Sequence, residues 1–140
     1  MPETEEIVDV LSGLSLFADL SRPELEEVAH TFEEEWFTAG QRILRQGFKG
    51  SGFYVIIDGE ASVSRDGSEI ARISRGDFFG EISLLLGESP VADVTSNGSL
   101  HCLVLAGPAL EEFLLAHSSV TYRMLQALAR RVRVTNQWRS

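Results

Sequence analysis

At 140 residues, with 44% hydrophobic and 24% charged residues, the chain has the size and composition of one globular domain able to bury a core. Its formal net charge of −9 excludes nucleic acid as the partner of the surface as a whole, since such binding needs neutralising cations. No apolar run approaches the ~18 residues of a membrane span, no basic signal region opens the chain, and a single cysteine excludes an intrachain disulfide, so a cytoplasmic protein with no membrane partner is expected.

Residues 1–35 read as helix. In "EEIVDVLSGLSLFADL" Ile7, Val8 and Leu11 fall at helical spacing, with Gly13 as a natural stop. "SRPELEEVAHTFEEEW" opens with Ser21 as N-cap, Pro23 in the first turn and Glu24 three residues after the cap, the spacing of a capping box. Leu25, Val28, Ala29 and Phe32 then share one face.

From Trp36 to Ala106 the texture is that of sheet. The runs "WFTAG", "RILRQG", "GFYVIIDG", "EASVSRDG" and "EIARISRG" are short, β-rich and closed by glycine. "RDG" at 65–67 signals a hairpin turn, because Asp-Gly tolerates positive φ, and "IDGEA" at 57–61 signals a second. Phe53, Val55 and Ile57 are expected on one face. After a loop at 76–89, "PVADVTS" and "SLHCLVLA" read as two more strands divided by Asn97-Gly98. About eight short strands with no long helix between them point to an antiparallel double-sheet jelly roll rather than a βαβ fold.

Residues 107–140 return to helix, with Pro108 at a first helical position. In the last helix Thr121, Leu125, Leu128, Val132 and Thr135 follow a 4-3-4-3 spacing, a seam that fits either a second copy of the chain or the chain's own sheet. A homodimer through residues 118–138 is the expectation. Charge is uneven: residues 1–35 hold eleven acids against Arg22 alone, whereas residues 118–140 hold five arginines and no acid. Acids of the first segment could compensate the arginines of the last by folding the two ends together.

Catalysis is not expected. His30, His101 and His117 are isolated in sequence, with no His-x-His to begin a metal site inside a barrel. No serine sits in a nucleophile elbow, and no glycine-rich loop ends in Lys-Ser/Thr. Cys102, within "LHCLVLA", reads as a buried core thiol. No enzyme activity, metal or cofactor is inferred, and binding is what remains.

The stretch "FFGEISLLLGESPVADV", residues 78–94, carries that binding. Gly80-Glu81-Ile82-Ser83 would open a helical turn directly after a strand, where unpaired N–H groups can meet an anion. A glycine before the turn lets a ligand approach the backbone. The Glu81 carboxylate would repel phosphate but accept hydrogen bonds from a sugar hydroxyl. Sugar and phosphate on one ligand make a nucleotide.

With "QG-(x)5-FYVIIDGEASV" and "GDFFGEISLL", the chain resembles the cyclic nucleotide-binding domain of catabolite activator proteins, cyclic-nucleotide-dependent kinases and gated channels. The resemblance covers essentially the whole chain. It implies one domain over 1–140: N-terminal helices (1–35), a jelly roll (36–106) punctuated by Gly40, Gly47, Gly59 and Gly76, a phosphate-binding cassette (78–93), and C-terminal helices (107–140). It implies cAMP or cGMP as ligand, with Glu81 on the ribose 2′-hydroxyl and the backbone of Gly80, Ile82 and Ser83 facing the cyclic phosphate. The family's cassette closes on an arginine that pairs with this phosphate. Here Pro90 stands at that position, followed by Val91 and Ala92, and Asp93 stands where a small hydroxyl residue is usual, an added acid expected to repel a phosphate beside it. No lysine or arginine lies between Arg75 and Arg123. Weak or absent cyclic nucleotide binding is therefore expected. The alternative is binding through backbone amides, Glu81, and Lys49 or a C-terminal arginine reaching in. Thr135-Asn136 resembles the pair with which catabolite activators contact the base across the dimer, and also fits a plain seam position followed by a surface residue.

Overall fold

The computed structural model describes residues 4–48 and 52–139, the stretch 135–139 as helix only. Helices α1 (Thr4–Ser12) and α2 (Arg22–Thr31) flank a 3-10 turn at Ser15–Phe17. The capping box at Ser21 forms as its spacing predicts: the Glu24 N–H donates to the Ser21 hydroxyl, and the Ser21 N–H donates to the Glu24 carboxylate at 2.9 Å. Then come β1 (Glu33–Phe37), β2 (Arg42–Leu44), β3 (Gly52–Asp58), β4 (Glu60–Arg65), β5 (Ser68–Ser74), β6 (Phe78–Phe79), α3 (Glu81–Leu86), β7 (Asp93–Ser96) and β8 (Leu100–Ala106). After a 3-10 turn holding Pro108, α4 (Leu110–Ala116) and α5 (Ser118–Arg139) end the chain.

The strands form two antiparallel four-stranded sheets, ordered β1-β8-β3-β6 and β2-β7-β4-β5. The fold is the expected jelly roll, mainly β with helical ends. The first sheet lies between the helices and the second sheet, so β3 is buried on both faces and its sequence is almost continuously apolar. Phe53, Val55 and Ile57 do share a face, and it packs on the helices with Leu103 and Leu105. Tyr54 and Ile56 point the other way, into the sandwich, with Phe79, Leu100 and Cys102. Phe32 joins helix to sheet through edge-on contacts with Phe17, Phe53 and Phe113, the last at 5.2 Å between ring centres.

Two local expectations change. The sheet begins at Glu33 rather than Trp36, because β1 is an edge strand whose glutamates stay at the solvent side while Phe37 turns inward. "IDGEA" is not a hairpin: β3 and β4 belong to different sheets, and the turn at Gly59 carries the chain from one to the other. "RDG" is the hairpin, pairing β4 with β5 over Asp66 (φ 52°) and Gly67 (φ 83°). Cys102 is fully buried, and burial pushes its thiol up to about 12.

Candidate functional site

β6 delivers the chain to Gly80, whose φ of 92° allows a sharp bend into α3. A side chain at Gly80 would collide with the carbonyl of Gly52 on β3, so glycine is demanded here by both backbone and space. The Ser83 hydroxyl donates to the Glu88 carbonyl and closes the loop behind α3. That loop is tied to the β2–β3 connection twice. The Gly47 N–H donates to the Pro90 carbonyl at 2.9 Å, and the Gln46 N–H donates to Asp93 Oδ1 at 2.6 Å. Gln46 Nε2 also donates to Asp66 Oδ1 of the hairpin turn at 2.8 Å, and the Asp66 N–H donates to Gln46 Oε1 at 2.9 Å. Three loops are thus fixed around one opening.

Beneath it lies a cavity of about 720 Å³, within the range of small-molecule sites. Its floor is apolar, with Leu44, Val63, Ile73, Phe79 and Val94, and α5 forms its far wall. The cavity brings together Gly80, Glu81, Ile82, Ser83, Pro90, Val91 and Ala92. Thr135 and Asn136 continue α5 beyond Val134, which lines the cavity; their side chains lie outside the described residues, as does Lys49.

Asp93 does not act as expected of it. Period-two alternation on β7 turns Val94 into the cavity and Asp93 to the opposite face, where it caps Gln46 and approaches Arg42 at 3.9 Å. It adds no repelling charge to the cradle.

The cations come from elsewhere. Arg65, Arg123, Arg130 and Arg131 all line the cavity, three of them from α5. Arg131 Nη1 donates to Glu81 Oε1 at 2.8 Å and Nη2 donates to the Phe78 carbonyl at 3.1 Å, while the guanidinium lies 4.7 Å from the centre of the Phe78 ring. Glu81 is 2% exposed, and burial pushes its carboxyl above the usual range against the pull of Arg131 and of the Glu81 and Ile82 backbone amides. Arg123 is engaged bidentately by Asp19, at 2.7 and 3.0 Å, which also brings one acid of the N-terminal segment onto α5 as expected. Sequence reasoning left the arginine reaching into the cavity without a number. Its one signal was the acid-free arginine run itself.

The histidines remain outside this site. His101 stacks on Trp36 and bonds Glu34 at 2.9 Å, and His117 caps α4 at the Phe113 carbonyl. Among the described residues no group of three or more His, Cys, Asp or Glu gathers to hold a metal, and no helix is long and apolar enough to cross a membrane.

The last helix divides its expected seam. Val120 and Met124 are buried in the chain's own core, and Ala127 and Leu128 pack against it. Leu125 and Val132 are 59% and 58% exposed, beside an equally exposed Tyr122.

Known proteins share this fold. The family model described as "Cyclic nucleotide-binding domain" matches residues 34–117. A cGMP-dependent protein kinase egl-4 from Caenorhabditis briggsae is 34% identical over 100 residues, which is 67% of this chain and 13% of the kinase. Among solved structures, a cAMP-bound PfPKA-R superposes with a TM-score of 0.83 at 23% identity, over 96% of this chain and 47% of that one. The Thermus thermophilus catabolite activator protein gives 0.79 at 25% identity, over 88% and 60%. The chain thus spans a small part of the kinase and about half of these structures. It belongs to the cyclic nucleotide-binding domain family, as a domain of the regulatory kind.

Proposed function

We propose that residues 1–140 act as one regulatory unit without enzyme activity, in the cytoplasm, whose degenerate cassette binds cAMP and cGMP weakly or not at all. The observation that carries this reading is the pair of changes at one site: Pro90 where a phosphate-pairing arginine is expected, and Arg131 seated on Glu81 where a ribose hydroxyl would go. A cyclic nucleotide would have to displace Arg131 from a buried carboxylate and would still find no cation on the cassette itself. Losing one partner of a buried charge pair costs roughly 2–5 kcal/mol, or about 30- to several-thousand-fold in affinity.

A second reading has support in the cavity itself, which remains open at about 720 Å³. In that reading cyclic nucleotide binds through the backbone of Gly80, Ile82 and Ser83, past Pro90, Val91 and Ala92, with Glu81 on the ribose and Thr135 and Asn136 on the base. Binding would then free α5 from Glu81 and shift the helix relative to the barrel. In either reading the exposed Tyr122, Leu125 and Val132 support a homodimer along residues 118–138.

Thermal melting with cAMP and cGMP separates the two. Ligand at a hundred times its dissociation constant stabilises by about 2.7 kcal/mol. No shift at about 1 mM of either ligand is expected, because a site with a dissociation constant above that, worth less than ~4 kcal/mol, stays largely empty at this concentration. A shift of several degrees would establish the second reading.

A further inference from the structure

In a chain with a net charge of −9, this cavity is lined by four arginines against only Asp77 and Glu81. Two of the arginines are neutralised, Arg123 by Asp19 and Arg131 by Glu81. Among the described residues the Arg65 and Arg130 side chains engage no hydrogen bond or ion pair, and both residues are exposed. Arg65 ends β4 at the hairpin, and Arg130 projects from α5. The site therefore has an apolar floor, a buried carboxylate and two uncommitted guanidinium groups, but no cation on its cassette.

That distribution selects against a cyclic phosphate. In a cyclic nucleotide the phosphate is fused to the ribose at two positions and carries one negative charge. With the ribose at Glu81, it cannot leave the cation-free cassette. A terminal 5′-phosphate swings on the exocyclic arm of the sugar, carries about −1.5 to −2 charges at neutral pH, and offers oxygens in the geometry a guanidinium fork matches. Resting on the reading above that the cassette has no cation, we propose that this cavity takes a nucleoside 5′-monophosphate. The base rests on the apolar floor, the ribose meets the Glu81 carboxylate in place of Arg131, and the phosphate is held by Arg65 and Arg130.

The test is isothermal titration calorimetry of the full chain with 5′-AMP, 5′-GMP, cAMP and cGMP, repeated on the Arg65→Gln/Arg130→Gln protein. Both side chains are exposed, so the variant is expected to melt as the wild type does. One of the two 5′-monophosphates should bind at least about tenfold more tightly than its cyclic counterpart, and the variant should lose about tenfold or more of that affinity. A preference for the cyclic ligand, equally weak binding of all four, or an unchanged affinity in the variant each overturns the proposal. Tight cAMP or cGMP binding also overturns the underlying reading of the cassette, whereas equally weak binding leaves that reading standing.

Discussion

Arg131 and Glu81 lie fifty residues apart in the chain and 2.8 Å apart in the fold, joining the last helix to the turn that opens the cassette. The pair is asymmetric. Glu81 is buried, while Arg131 keeps 42% of its side chain in solvent. Arg131→Met would leave the buried carboxylate without its cation and is expected to cost about 1–3 kcal/mol of stability. Adding Glu81→Gln should recover part of that loss, because the stranded charge is gone. Urea unfolding of the two single variants and the double variant measures the coupling, and strictly additive effects would show that the pair stabilises nothing.

The same carboxylate gives a pH signature. Burial raises its folded-state pKa above the ordinary 4.5, so the folded state keeps a proton that the unfolded chain has already lost. The associated stability is fully present below the unfolded value and is lost as pH rises through the raised folded value. Glu81→Gln removes this titration. The stability of the wild type relative to Glu81→Gln should therefore fall as pH is raised from about 4 toward neutrality, measured by urea midpoints across that range. A constant difference would mean that Glu81 titrates alike in both states.

Gly80 and Gly67 both have positive φ, but only Gly80 is hemmed in by another strand's backbone. Gly67→Ala should cost about 1–2 kcal/mol, the penalty of a left-handed alanine in open space. Gly80→Ala adds a collision with the Gly52 carbonyl and should cost clearly more, beyond about 2 kcal/mol. Chemical denaturation of the two variants side by side checks the order, and equal costs would contradict the close approach of cassette and β3.

Much of this fold could be read before it was seen, because its signals are local. The capping box at Ser21, the Asp66-Gly67 hairpin and the alternation through Phe53, Val55 and Ile57 each depend on a few adjacent residues. What failed was long-range. Asp58-Gly59 has turn chemistry, but nothing nearby says that the next strand joins another sheet. Asp93 looked like a hostile charge until the register of β7 placed it on the outer face against Gln46. That an arginine would sit on Glu81, which was expected to face a ribose, could not be read, since choosing among the five arginines of residues 118–140 requires knowing how α5 rotates over the cassette.

The rotation of α5 also decides which of its seam residues can meet a second copy of the chain. Leu128 packs against the chain's own core, so a charge there would disturb the fold before any interface. Leu125 is exposed and is the better probe. Leu125→Glu is expected to give a monomer by analytical ultracentrifugation that still unfolds cooperatively on heating. A variant that remains dimeric would assign the contact to another surface.

Isothermal titration calorimetry of cAMP and cGMP into the wild type, Pro90→Arg and Asp93→Thr bears most directly on the claim that this cassette lacks its own cation. The wild type should show no saturable binding below about 1 mM, and Pro90→Arg should gain at least about tenfold for one of the two ligands. That estimate stays at the low end because proline's fixed backbone geometry at this position need not suit arginine. Asp93→Thr should gain nothing and lose about 0.5–1.5 kcal/mol of stability with its bond to Gln46. Micromolar cAMP or cGMP binding by the wild type, or no gain in a folded Pro90→Arg protein, would contradict the account.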